Sequence, residues 1–293
     1  MRTELIFLRM AKNDLEAARC LYYKKLYSLS VFHLQQAVEK AVKCFGIAGK
    51  IISEGEAKNA IGHRAWKLYL RIFDEAKNRM ANLEEAFNRF PKLKEVSLIK
   101  ELNIPELKSR MQDYRRVFKF LSEDTFNLSL SKENLQAIAD EIKKLSVNFK
   151  KVALPEIIDM DEEELSVFQK EMYELLEALS EINPNIVDEK VKEKFSEIFT
   201  PKLIIPLLNM VIEPIIKFIF CSVSLFYLSI IFSPHAVKSR YPQNEFNPLE
   251  VYTDKMPLIQ MLDFFIEVTG DVLIELDHLL HSDFLKVMEN DLS

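Results

Sequence analysis

The stretch Ser28-Leu-Ser-Val-Phe-His-Leu-Gln-Gln-Ala-Val-Glu-Lys-Ala-Val-Lys-Cys-Phe45 decides what kind of chain this is. At about 100° per residue, Val31, Leu34, Val38, Ala41, Val42 and Phe45 share one face, which predicts an amphipathic helix turned toward a core. His33, Gln36, Lys40 and Lys43 fall on the opposite face, and Gln35 and Glu39 lie on the boundary. Two readings of that polar stripe stand side by side. It is a solvated helix face, or it is a binding surface made of a Gln pair, a carboxylate and two lysines.

Residues 2–23 carry an apolar stripe of Leu5, Leu8, Leu15, Ala18 and Leu21 or Tyr22, which predicts a helix. The short turn Lys24–Ser28 makes these two helices antiparallel neighbours. Four of the five glycines sit between Gly46 and Gly62, which reads as a loop. A third helix is expected from Gly62-His63 onward, with Trp66, Leu70 and Phe73 on one face.

From 77 to 202 the pattern is helical but different in character. Helices are expected at 77–90, 104–122, 131–152, 162–182 and 186–199, separated by prolines. Ser131 and Asp161 read as N-caps, the second with Glu164 at the capping-box position. Charge is segregated: Arg89 to Lys119 has nine basic and four acidic residues, and Glu156 to Glu181 has ten acidic and one basic. Mutual neutralisation explains this, as does an anionic ligand on the basic helix near Arg115-Arg116. A long apolar helix follows at 202–232, then Ser233 to Pro242, a loop, and a last helix at 254–281. The stripe of that last helix is Leu258, Met261, Leu262, Phe265, Val268, Val272, Leu276 and Leu279.

The 293 residues allow one large or two medium domains. Scarce glycine and long Leu, Glu, Lys and Ala-rich segments predict an all-α protein. A net charge of −6 argues against a surface that attracts nucleic acid everywhere, though not against a local basic patch. Cys20, Cys44 and Cys221 lie far apart in helical patterns and read as reduced thiols, which with no recognisable leader predicts a cytoplasmic setting. The run Phe218 to Pro234 is shorter than the roughly 20 apolar residues a membrane span needs, so a core helix and no membrane contact are expected.

Asn13-Asp14-Leu15-Glu16-Ala17-Ala18, His33-Leu34-Gln35-Gln36-Ala37-Val38-Glu39-Lys40-Ala41-Val42-Lys43, Gly62-His63 with Leu68, and Arg240-Tyr241-Pro242 together resemble the HEPN domain. The resemblance covers about 1–75 and 203–285. It implies an up-and-down helical bundle interrupted by an inserted helical domain. The expected organisation is 1–76 and 203–285 as the two parts of the bundle, 77–202 as the insertion and 286–293 as a polar tail. The resemblance further implies nucleotide or RNA binding, a homodimer, a place in a toxin–antitoxin or defence pair, and a nucleotidyltransferase partner. The implied site is Gln35, Gln36, Glu39, Lys40, Lys43, His63, Arg240 and Tyr241, with Lys40, Lys43 and Arg240 holding phosphate.

HEPN members that cut RNA carry an Arg followed by four to six residues and then a His. No His here has an Arg at that spacing; only the reverse order, His235 to Arg240, occurs. Binding without catalysis is therefore the main expectation. A ribonuclease using His235 and Arg240 is the alternative, and a pure dimerisation or partner-binding module is the third. In the structural version, Arg240 pairs with a helix carboxylate such as Glu39 and His235 is a polar surface residue. Phe32, an aromatic on the polar side of its helix, points toward a protein contact. No cofactor is expected, and no metal site: Glu275 and His278 have bundle-type metal spacing but only one copy.

Overall fold

A computed structural model describes residues 2–62, 64–91, 106, 108–109, 112–113, 116, 130–152, 162–182, 189–198, 200–242 and 246–282. Helix dominates, and no strand occurs among the described residues. The elements in chain order are α1 (Thr3–Tyr23), α2 (Tyr27–Ala48), α3 (Glu54–Glu56) with a π-helical turn at Ala57–Ile61, and α4 (Lys67–Arg89). Then come α5 (Lys132–Val152), α6 (Glu162–Ile182), α7 (Glu189–Ile198) and α8 (Pro201–Phe232). The last are α9 (His235–Lys238), α10 (Pro248–Val251), α11 (Pro257–Gln260) and α12 (Leu262–His281).

The chain divides into two compact units: Met1–Ile72, Val117–Lys151 and Pro214–Ser293 form the first, and Phe73–Arg116 with Val152–Glu213 form the second. The segment 117–151, expected within the insertion, thus groups with the chain's terminal parts. Helix α5 shows why: Leu135, Ala139 and Ile142 make a buried i, i+4, i+7 stripe, and the Lys143 ammonium lies 5.0 Å from the centre of the Phe264 ring of α12.

In the first unit α1 and α2 form the antiparallel hairpin expected from the sequence. Its turn closes when Leu26 N–H reaches Leu21 O (2.9 Å) and Lys25 N–H reaches Tyr22 O (2.8 Å), a Schellman motif with Lys25 at φ 59°. Ser30 Oγ donates to Ala18 O (2.8 Å) and ties the two helices together near that end. The apolar face of α2 is buried as the periodicity predicts: Val31, Leu34, Val38, Ala41, Val42 and Phe45. Each large member contributes roughly 1.5–3 kcal/mol by leaving water. The later half of α8 packs on α2 through Phe45 and Phe218 (centroids 4.7 Å) and on α12 through Phe232 and Phe265 (5.8 Å). Tyr69 at the start of α4 donates to Ser222 O (3.0 Å) and fixes α4 to α8.

Helix α8 contains Glu213–Phe232, which by length and composition alone is long and apolar enough to cross a membrane. In this fold Phe220, Cys221, Leu225, Leu228, Ile231 and Phe232 are buried in the first unit. In the second unit Phe87 of α4 and Ala178 of α6 are buried with Met80, Phe90 and Leu175 around them, and Tyr173 of α6 meets Phe195 of α7.

Several boundaries differ from those read in the sequence. The loop expected at 46–62 contains α3 and the π-turn. Ser53 and Glu56 form a capping box, Ser53 N–H donating to Glu56 Oε2 (2.8 Å) and Glu56 N–H to Ser53 Oγ (3.3 Å). The Ser53 N–H and the Arg71 guanidinium, both donating to it, hold the Glu56 carboxyl down, to about 2. The third helix and the one expected at 77–90 are one helix, α4, because no Pro or Gly interrupts the run from Lys67 to Arg89. The last helix is broken into α11 and α12 at Met261 (φ −109°, ψ 3°), and Pro257 starts α11 at its N1 position. Ser131 caps α5, accepting from Asn134 N–H (3.2 Å). The Asp161 cap and most of the basic segment 104–122 lie outside the described residues.

Candidate functional site

The polar stripe of α2 splits into two rows. The inner row is Gln35, Glu39 and Lys43, four residues apart and all buried (2%, 4% and 8% exposed). Gln35 Nε2 donates to Glu39 Oε2 (3.2 Å) and Lys43 Nζ to Glu39 Oε1 (2.8 Å). Lys43 was placed on the open face by the sequence reading. It is instead drawn inward because its ammonium has a carboxylate one turn back and lies 6.0 Å from the centre of the Phe7 ring of α1.

The outer row is His33, Gln36 and Lys40, and it is joined to α1. Lys40 Nζ donates to Asp14 Oδ2 (2.6 Å) and to Gln36 Oε1 (3.1 Å). His33 Nδ1 lies 3.1 Å from Asp14 Oδ1. A carboxylate only accepts, so Nδ1 carries the proton. Gln36 Nε2 donates to Gln35 Oε1 (2.7 Å) and links the two rows. Both lysines expected to hold phosphate are thus already neutralised by carboxylates within the hairpin.

Arg240 is arranged otherwise. Its guanidinium lies 4.6 Å from the centre of the Phe32 ring and 4.8 Å from that of Tyr241, and it is exposed. The expected pairing of Arg240 with Glu39 is replaced by this contact between rings. Phe32 precedes Glu39 by seven residues, about 10 Å along the helix axis, so Arg240 meets the same side of α2 two turns earlier. Phe32 itself is only half-buried and meets His33 edge-on at 5.0 Å. Tyr241 is 52% exposed.

The turn that carries Arg240 and Tyr241 is anchored in the core. Backbone N–H groups of both residues reach Val237 O (3.0 and 3.3 Å). His235, expected on the surface, is buried, and its Nδ1 lies 2.8 Å from the Tyr252 hydroxyl. Burial, and then the charge of Lys238, push the His235 ring down to about 3, so it is neutral at ordinary pH. Burial pushes the Tyr252 hydroxyl up. Tyr252 therefore keeps its proton, and the pair pins the two ends of the segment 235–252 together. Nothing in the local sequence pattern marks Tyr252; its role comes from a contact 17 residues away.

The geometry brings together Gln35, Gln36, Glu39, Lys40 and Lys43, and it brings Arg240 and Tyr241 to the Phe32 end of the same helix. It turns His235 away from Arg240 into the interior. His63 lies outside the described residues. Among the described residues no group of three or more His, Cys, Asp or Glu side chains is placed to hold a metal ion. Glu275 meets His278 and Lys217 at 3.2 and 3.8 Å, an ion-pair arrangement.

Residues 5–60 match the HEPN domain family model, a span covering α1, α2, α3 and most of the π-turn. The resemblance carried by Asn13 to Ala18 and His33 to Lys43 is thus found independently. A curated protein of Methanocaldococcus jannaschii, named as a putative toxin, is 35% identical over 79 residues. The match takes in 27% of this chain and 51% of that protein, so the chain spans about half the length of this relative. No solved structure matches.

Proposed function

We propose that this chain is a HEPN-type component of a toxin–antitoxin-like pair and that it binds RNA or a nucleotide through Arg240, Tyr241 and Phe32. One observation carries the reading. Lys12, Lys40 and Lys43 of the hairpin each sit on a carboxylate, whereas Arg240 is exposed with a ring against it on Phe32 and on Tyr241. A guanidinium held by aromatic rings keeps its N–H edge for phosphate oxygens. An exposed Tyr241 ring offers a surface on which a base stacks. The phosphate site expected at Lys40 and Lys43 moves in this proposal to Arg240.

RNA cleavage is not part of the proposal. A proton-transfer group works best with a pKa near the operating pH, and His235 is a neutral, buried ring bonded to Tyr252. The similarity to the archaeal relative supports the toxin–antitoxin setting and a protein partner. Homodimerisation and a nucleotidyltransferase partner remain inferences from the HEPN resemblance.

The test is fluorescence anisotropy with a labelled single-stranded RNA and with labelled nucleotides. Arg240→Ala is expected to weaken binding at least tenfold and Tyr241→Ala severalfold. Lys40→Ala is expected to change little, because its ammonium already sits on Asp14. Equal affinity of wild type and Arg240→Ala, or no binding to either class of ligand, sinks the reading.

A further inference from the structure

The α1–α2 turn and the Arg240 turn also carry exposed apolar side chains that nucleic acid does not use. Leu26, Leu29, Val237 and Tyr241 are 46%, 42%, 45% and 52% exposed. Leu29 and Phe32 are one three-residue step apart on α2, neighbours at about 5–6 Å, and Leu26 stands at the N-cap just before that helix. Phe32 carries Arg240, and Val237 lies one turn before Arg240 with its carbonyl accepting from Arg240 N–H. The apolar side chains at the start of α2 and those of the Arg240 turn therefore meet at the contact of Arg240 with Phe32 and form one strip.

Cations flank the strip. Lys24 and Lys25 precede Leu26 in the turn, and Lys238 follows Val237. Among the described residues, Lys24, Lys25, Lys238 and Arg240 make no ion pair, unlike the lysines farther along the hairpin. A strip of exposed large apolar groups around an Arg and a Tyr has the composition of a protein-binding hot spot.

We propose that this strip is the docking site of a partner protein segment that presents apolar side chains flanked by Asp or Glu. Charge complementarity selects that occupant. A second copy of this chain, meeting the strip about a two-fold axis, brings the same uncompensated cations face to face. RNA satisfies the cations but gains nothing from stacking on Leu26, Leu29 and Val237, which have no π-face. An acidic, apolar polypeptide matches both halves of the chemistry. The proposal shares Arg240 with the binding reading above, and rests on that reading for nothing else. A partner seated here covers Arg240 and so competes with RNA.

The test is co-expression of the full chain with the reading frames that flank its gene, followed by carbodiimide crosslinking and mass spectrometry. That reagent joins an ammonium to a carboxylate only when the two are in contact. The expected result is a stable complex with a partner's Asp or Glu linked to Lys24, Lys25 or Lys238. Leu29→Asp, and separately Lys24→Glu with Lys25→Glu, are expected to weaken that complex at least tenfold while the free chain keeps its helical circular dichroism and melting temperature. Both changes leave Arg240 in place, so RNA anisotropy on the same variants reports the binding reading separately. No complex, links through other lysines, links between two copies, or association with anionic vesicles or RNA alone each overturns the proposal.

Discussion

The inner row of α2 and the Arg240 turn carry the same kinds of group, and the fold uses them in opposite ways. Gln35, Glu39 and Lys43 form a buried chain in which the carboxylate accepts from an amide and an ammonium on its own helix. Arg240 sits outside, held by ring faces on Phe32 and Tyr241. A buried charge has to be matched by its neighbours or it costs several kcal/mol, and within the inner row the Glu39 carboxylate and the Lys43 ammonium match each other. An exposed guanidinium is solvated and needs no such partner, so a cation–π contact of about 0.5–1 kcal/mol holds it without consuming its hydrogen bonds. Regular polar spacing on a helix is thus no sign of a ligand until burial is known.

The strongest way to break this contrast is Glu39→Ala. It leaves the Lys43 ammonium buried beside a vacancy, and removing one partner of a buried pair costs about 3–5 kcal/mol. Urea denaturation is expected to show a loss of that order, and Lys43→Met a comparable one, because it leaves the buried Glu39 carboxylate without its ammonium. Were the inner row a ligand site, Glu39→Ala would leave the midpoint nearly unchanged and alter binding instead.

A smaller effect is expected where the Arg240 turn is pinned. Tyr252→Phe removes the hydroxyl 2.8 Å from His235 Nδ1 and leaves a buried ring nitrogen without it, at about 1–3 kcal/mol. It also slackens the segment that sets Arg240 over Phe32, so RNA affinity is expected to fall although Tyr252 touches no ligand. The same anchor gives a pH signature. In the unfolded chain His235 titrates near its ordinary value of 6.5; in the fold its value is about 3. The unfolded state therefore binds more protons across that window, and stability falls as pH drops from about 6.5 toward 3, by at most about 1.4 kcal/mol per pH unit from this group. His235→Gln is expected to flatten that limb of a stability-against-pH profile; an unchanged slope places the ring's titration elsewhere.

Much of the fold was legible because the signals were local. Val31 to Phe45 have a helical period, Ser131 and its helix a cap, and Lys24 to Ser28 the brevity of a tight hairpin. What escaped depended on contacts between distant positions. The sequence placed Lys43 outside because its angle on the wheel is outside; α1 covers that angle, and no wheel of α2 alone contains α1. His235 read as surface because it stands where a helix ends and a turn begins, and the partner that lets it be buried is Tyr252, beyond an intervening loop. Arg240 was expected to seek a carboxylate, the commonest companion of a guanidinium, yet the face offered to it is Phe32, the residue that had looked out of place on a polar stripe. Two oddities of the sequence, an aromatic among polar groups and an arginine beside a tyrosine, explain each other once the chain is folded. The capping box Ser53-Glu54-Gly55-Glu56, by contrast, was readable in the sequence and was masked only by the surrounding glycines.

The mildest change sharpens the contrast most directly. Asp14 is the carboxylate that sets Lys40 apart from Arg240: it takes the Lys40 ammonium at 2.6 Å and the His33 N–H at 3.1 Å. Asp14→Asn keeps the shape and one acceptor but removes the charge. The cost in stability is expected to be about 1 kcal/mol or less, since the pair is only partly buried and solvent screens it. Lys40, one turn from Gln36 and two from Phe32, then becomes a second uncompensated cation on the outer row. If phosphate is taken by whichever cation lacks a carboxylate, Asp14→Asn is expected to tighten RNA binding severalfold and to steepen its salt dependence by about one phosphate contact. In the Asp14→Asn background Lys40→Ala should now matter, although it is expected to be silent in the wild type. That reversal is the critical measurement, because a general gain in stickiness from one lost negative charge would survive the removal of Lys40, whereas a contact made by Lys40 would not.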